Sequence, residues 1–127
     1  MIETFLSQFI DWANTHPDIQ AIALVGSHAR GDARPDSDLD LIILADDPIN
    51  YIADPSWARR FGSIERHRIE DWGKVTSLRV WYEGGPEVEF GFSTLDWANN
   101  PLDVGTRKVI DDGMVSLYDP QGLLEFE

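Results

Sequence analysis

The stretch GSHARGDARPDSDLDL, Gly26 to Leu41, gathers two glycines, two arginines and four aspartates and then runs into the apolar LDLIIL. Within it Asp38 and Asp40 are two residues apart on an extended segment, so they share a face at roughly 6.5 Å along the strand. Two carboxylates at that spacing suit one hard divalent cation or a pair of them. Gly26 and Ser27 follow an apolar run and open a short helical turn, where backbone N–H groups and the Ser27 hydroxyl can cradle an anion. Arg30 and Arg34 lie between the two features and carry donors suited to phosphate oxygens. The same arginines also suit local pairing with the aspartates beside them.

Two familiar loops fail on these residues. A Walker A loop needs lysine after its second glycine, and Asp32 follows Gly31. A calcium loop counted from Asp36 needs glycine at its sixth position and glutamate at its twelfth, and these are Leu41 and Asp47. Arg30-Gly31-Asp32 reads as a coincidental triplet, and His28 and His67, without paired metal spacing, read as surface histidines.

The elements that must position these side chains follow from periodicity. In ETFLSQFIDWANTHP the residues Phe5, Leu6, Phe9, Ile10 and Ala13 recur at helical spacing, and Pro17 ends the pattern. IQAIALVG, Ile19 to Gly26, and LDLIILA, Leu39 to Ala45, are nearly unbroken apolar runs, as in strands covered on both faces. Asp46 to Gly62 reads as a loop holding one short helix around Ser56 to Phe61. SIERHRIEDW, KVTSLRVWYE and EVEFGF read as an antiparallel meander, the last two joined through Gly84, Gly85 and Pro86. Short helices near Ser93 to Ala98 and Asp103 to Asp111, a strand MVSLY and a turn DPQGLLEF complete the chain. The expected class is α+β, a mixed sheet flanked by helices, in one domain spanning 1–127. Trp57, Trp72, Trp81 and Trp97 are expected in packing, with one available to stack on a base.

Composition narrows the function. Ten Lys and Arg against 23 Asp and Glu give a formal charge of -13, which opposes contact with a bare phosphate backbone. Direct nucleic-acid binding is therefore not expected, and a polyanionic substrate would need cations between it and the protein. The absence of cysteine excludes disulfides and thiolate-ligated metals. MIETFLSQFIDW lacks the basic start of a signal peptide and no run reaches membrane-spanning length, so a soluble cytoplasmic protein without a membrane partner is expected.

GS, a ten-residue spacer and then DLD as D-x-D resembles the nucleotidyltransferases of the DNA polymerase beta-like superfamily, and GSHARGD, SDLDL and MVSLYDP together resemble its small single-domain members. The resemblance implies that fold and a third carboxylate on a later strand in an apolar-acidic-apolar setting. Val88-Glu89-Phe90 matches that setting, with glutamate where aspartate is more usual. Read by themselves, Glu87, Glu89 and Gly91 also fit a solvated face opposite Val88, Phe90 and Phe92.

The resemblance further implies transfer of a nucleoside monophosphate, AMP from ATP, to an acceptor hydroxyl with release of pyrophosphate. Two Mg2+ ions, or Mn2+, would be held by Asp38, Asp40 and Glu89, with Gly26, Ser27, Arg30 and Arg34 at the phosphates. The 36 residues after Gly91 leave little room for a helical substrate domain, so the acceptor would be a small molecule or partner protein bound on a partner, a homodimer mate or the C-terminal helices. Other functions open at this stage are an antitoxin-type modifier of a helical partner protein and a non-catalytic nucleotide-binding module.

Overall fold

Helix α1, Ile2–Ala13, forms where Phe5, Phe9, Trp12 and Ala13 fall on one face, and all four are buried. The computed structural model describes residues 2–98 and 104–125, and the helix start at Asp103 and the end of the last turn at Phe126 lie outside them. Strands β1, Ile19–Val25, and β2, Leu39–Ala45, share the same nearly unbroken burial pattern, which is why both read as continuous apolar runs. They pair antiparallel, Val25 opposite Asp40, and the one-turn helix α2, Ser27–Arg30, lies in the connection between them.

The meander is β3, Ile64–Asp71, β4, Thr76–Tyr82, and β5, Glu87–Ser93, with antiparallel pairing throughout. Strand β5 then lies parallel to β2, and β6, Met114–Tyr118, pairs antiparallel with β1 at the far edge. The result is a six-stranded mixed sheet in the order β3-β4-β5-β2-β1-β6.

Strand alternation divides the apolar residues between two layers. Leu39, Leu41 and Ile43 of β2, with Leu78, Val80, Phe90 and Phe92, meet α1 in the larger core. Ile42 and Leu44 face the other way and pack with Ala21, Ala23, Val25, Trp97 and Leu124 in a smaller core. Cover on that second face reaches Ser77 and Ser93 of β4 and β5 but stops short of Arg79, Glu87 and Glu89. The β4–β5 half of the face carries the polar residues of the alternation, and the candidate site stands where cover gives way to them.

Three details differ from the sequence expectations. The segment treated as loop holds a further helix, α3, Ile49–Ala53, before the 3-10 helix Pro55–Phe61. Pro48 and Pro55 bracket this turn rather than preclude it: Pro48, at φ -62°, already has helical geometry at the cap, and Tyr51 and Ile52 are buried. Ser93 closes β5 opposite Leu44, so the 3-10 helix after it covers only Leu95–Ala98. The final helix, α4, spans Val104–Asp112. Among the described residues no helix is long and apolar enough to cross a membrane.

Candidate active site

Asp40 and Glu89 are direct register partners across the parallel β2–β5 pair, so their side chains leave the sheet side by side. Asp38 stands two residues earlier and meets them from the strand's entrance. One carboxylate oxygen from each of the three lies within 4.8 Å of the others, a separation that one cation can span. Gly26 sits behind this group at φ +74°, where side chains are disfavoured, and a Cβ placed there would collide with Oδ2 of Asp40. Glycine is thus required twice, for the backbone turn and for the approach of the carboxylate.

Ser27 begins α2, whose N-cap is Gly26, and the amides of Ala29 and Arg30 donate to the Gly26 carbonyl at 3.1 Å each. The amides at the very start of such a turn have no partner within it and point along its axis.

The electrostatics of the cluster are those of carboxylates held too close. Burial, then the charges of Asp38 and Glu89, push Asp40 up to about 8 from its ordinary 3.8. Near neutral pH, with no cation bound, Asp40 therefore retains a proton. Its Oδ1 is buried and has no hydrogen-bond partner. Burial also raises Glu89, with Arg79 opposing the shift. An all-oxygen, negatively charged donor set with an unsatisfied buried oxygen fits a hard divalent cation, and it would suit neither a soft metal nor an anion.

Sequence reasoning missed the cation the cluster does have, Arg79. It is the register partner of Glu89 on β4. Its Nη1 donates to Asp38 Oδ2 at 2.9 Å and to Glu87 Oε2 at 2.6 Å, its Nη2 to Glu89 Oε1 at 2.9 Å and its Nε to Glu70 Oε1 at 3.0 Å. Burial works against the charge on Arg79, but the hydrogen bonds it donates to Asp38, Glu87 and Glu70 outweigh it and raise its pKa further. The signal was the alternation of Ser77, Arg79 and Trp81 against the buried Leu78, Val80 and Tyr82. That pattern puts Arg79 on the polar face, and the meander puts it beside Glu89.

A cavity of about 400 Å³ opens beside the carboxylates. Gly26, Asp40 and Glu89 form one end, and Val75, Trp97 and Val109 supply apolar wall. Arg30 lines it too, while its Nε pairs with Asp32 at 3.3 Å on the surface. Arg34 is exposed, and its backbone amide donates to Ser37 Oγ at 2.8 Å. The structure thus brings Gly26, Asp38, Asp40 and Glu89 together, keeps Ser27 and Arg30 at the margin and leaves Arg34 in solvent.

His67 is exposed as expected, and His28 is half-buried, with its Nε2 covered and without a hydrogen-bond partner. Of the tryptophans, Trp57 packs against Phe9, Trp12 and Phe90 and Trp97 is buried. Trp81 lies under the guanidinium of Arg66 at 4.0 Å, and Trp72, 62% exposed, lies on the cavity rim.

A family model described as a nucleotidyltransferase domain matches residues 6–81, more than half of the chain, ending before Glu89. No curated protein matches the sequence. Among solved structures, an aminoglycoside 6-adenyltransferase from Bacillus subtilis is similar with a TM-score of 0.58 at 16% identity, over 75% of this chain and 35% of that one. The Cid1 poly(U) polymerase is similar with a TM-score of 0.45 at 16% identity, over 87% of this chain and 29% of that one. Cid1 in complex with the UTP analog UMPNPP gives a TM-score of 0.42 at 14% identity, over 70% and 30%. The chain thus spans about a third of the length of these proteins, and the likeness to the adenyltransferase, at 16% identity, is one of fold.

Proposed function

The chain belongs to the nucleotidyltransferase domain family, of polymerase beta-like fold, and from that premise we propose that it transfers a nucleoside monophosphate, AMP from ATP, to an acceptor hydroxyl at the Asp38–Asp40–Glu89 cluster. The observation that carries this reading is the convergence of those three carboxylates within 4.8 Å beside a glycine-headed turn. Two divalent ions, Mg2+ by this reading, would supply neutralisation of the triphosphate and acidification of the acceptor hydroxyl.

The protein's own part is mainly positioning, as phosphoryl-type transfer requires. Asp38 and Asp40 project from one strand and fix the cation site. Glu89, from the neighbouring strand, closes it on the side facing Arg79 and is the group placed to receive the acceptor's proton or its cation. Gly26 leaves space for phosphate oxygens to approach the backbone, and Ser27 with the first amides of α2 donates to them. Arg30 would exchange Asp32 for a phosphate oxygen, and Arg34 would need the loop to fold inward. The apolar wall of the cavity suits a nucleobase. The orientation of Glu89 toward Asp38 and Asp40 favours a catalytic site over a non-catalytic module.

Equilibrium binding of an ATP analogue with a non-cleavable α,β linkage tests this without knowledge of the acceptor. Binding is expected with Mg2+ and lost in EDTA and in Asp38→Asn. Binding of equal strength in EDTA, or none under any condition, rules the proposal out.

A further inference from the structure

The nitrogens of Arg79 are all engaged, and all four acceptors are carboxylates. Its side chain is 15% exposed, so little solvent screens its charge. Two of its partners, Asp38 and Glu89, belong to the converging cluster, while Glu70 and Glu87 do not. Glu70 is itself held by Arg68 at 2.6 Å, giving the second half of this anchor a fixed position. A guanidinium that served only to fasten β4 to β5 would need one partner across the strand pair. This one extends across β5 to Asp38 before β2, 41 residues away in the chain, and draws together the oxygens that a cation would otherwise hold.

We propose, resting on the cation reading above, that Arg79 is a positioning residue that sets the affinity of this centre for divalent ions: it stands in for the ion on Asp38 and Glu89 and releases both when the ion arrives, staying anchored on Glu70 and Glu87. The side chain keeps Asp38 and Glu89 turned inward and ready, and its charge opposes the incoming ion. The two effects have different chemical requirements, the first a fork of donors, the second only a positive charge. A neutral residue at position 79 removes the fork and the competing charge together, and over a few ångström from a dication the charge is the larger of the two effects.

Titration of the intact protein with Mn2+, without nucleotide, reads this through ion binding rather than turnover. Loss of one positive charge within a few ångström of a dication is expected to tighten Mn2+ binding about ten-fold or more in Arg79→Met. Arg79→Lys, which keeps the charge, is expected to stay within about three-fold of wild type. Arg79→Gln repeats the neutral substitution should the methionine variant not fold. Without metal, the neutral variants melt below wild type, and saturating Mn2+ narrows the gap.

Wild-type binding of Mn2+ with unchanged or weaker binding in folded neutral variants overturns the role of Arg79 and leaves the cation site standing. So does a lysine variant that tightens like the neutral ones. Failure of wild type to bind Mn2+ at all overturns the cation site itself and this inference with it.

Discussion

Replacing Asp40 by Asn separates the carboxylate's cost from its use. In the metal-free protein Asp40 is pushed from 3.8 to about 8, chiefly by burial. An acid whose pKa is raised on folding favours the folded state fully below its unfolded value. It loses that contribution as pH rises through the window from about 4 to about 8. Over that window wild type gives up about 1.4 kcal/mol per pH unit through this one group, an upper bound of about 5–6 kcal/mol once pH exceeds 8.

Arg79 can shift toward an ionised Asp40 and water can enter from the cavity, so about half of that bound is the expected effect. Asp40→Asn in EDTA should therefore exceed wild type by about 2–3 kcal/mol at pH 8 and by under about 1 kcal/mol at pH 5. At a few degrees per kcal/mol, this is a rise in melting temperature of about 10 °C at the higher pH. Saturating Mg2+ should invert the order, because only wild type gains from binding the ion. Chemical denaturation at several pH values, with and without Mg2+, measures all of this. A difference independent of pH, or a wild type more stable than the variant at pH 8 in EDTA, refutes the assignment of Asp40 as a buried acid awaiting a cation.

Gly26→Ala places a Cβ at φ +74° against Asp40 Oδ2. It should cost about 1–3 kcal/mol in a denaturant melt, and a variant as stable as wild type would mean that Asp40 is not pinned there. Asp38→Asn and Glu89→Gln should each abolish Mg2+-dependent nucleotide binding while circular dichroism stays native; wild-type affinity in either removes that residue from the site. Tyr82→Phe deletes the 2.8 Å hydrogen bond from Tyr82 Oη to the Ala58 carbonyl in the larger core. A loss of about 1–2 kcal/mol of stability with unchanged nucleotide binding is expected, and a change in binding would show that this core and the site are coupled.

What was legible in the sequence is what local pattern encodes. The apolar runs of β1 and β2 gave two strands buried on both faces, and the single polar break in β2, Asp40, marked the point where that burial turns into a site. Spacing alone put Asp38 and Asp40 on one face. The meander was legible because Gly84-Gly85-Pro86 forces a turn between two alternating stretches. Register was not legible, and register decides the electrostatics.

A period of two assigns Arg79 to the polar face but does not say which carboxylates it meets. Its bond to Asp38 depends on β5 pairing parallel with β2 while pairing antiparallel with β4. Long-range pairing of that kind is fixed by packing of the whole sheet. Nor was α3 legible, a single turn too short to show periodicity.

With a formal charge of -13, a triphosphate, the substrate on the proposed reading, calls for cations beside the acids, and the arginines nearest them are already engaged. Arg79 is committed to carboxylates, and Arg30 is paired with Asp32. Neither is spare for the nucleotide until something else neutralises the acids. On the proposed reading a divalent ion does this, and its arrival changes two signs at once. Asp40 gives up its proton, and Arg79 loses two of its four partners. The charge at the cluster is thereby reduced, and Nη2 of Arg79 is freed beside the reacting groups while Glu70 and Glu87 keep their hold on Nε and Nη1. Ion and nucleotide should consequently bind with positive coupling, each tightening the other by the same factor, since the linkage is reciprocal.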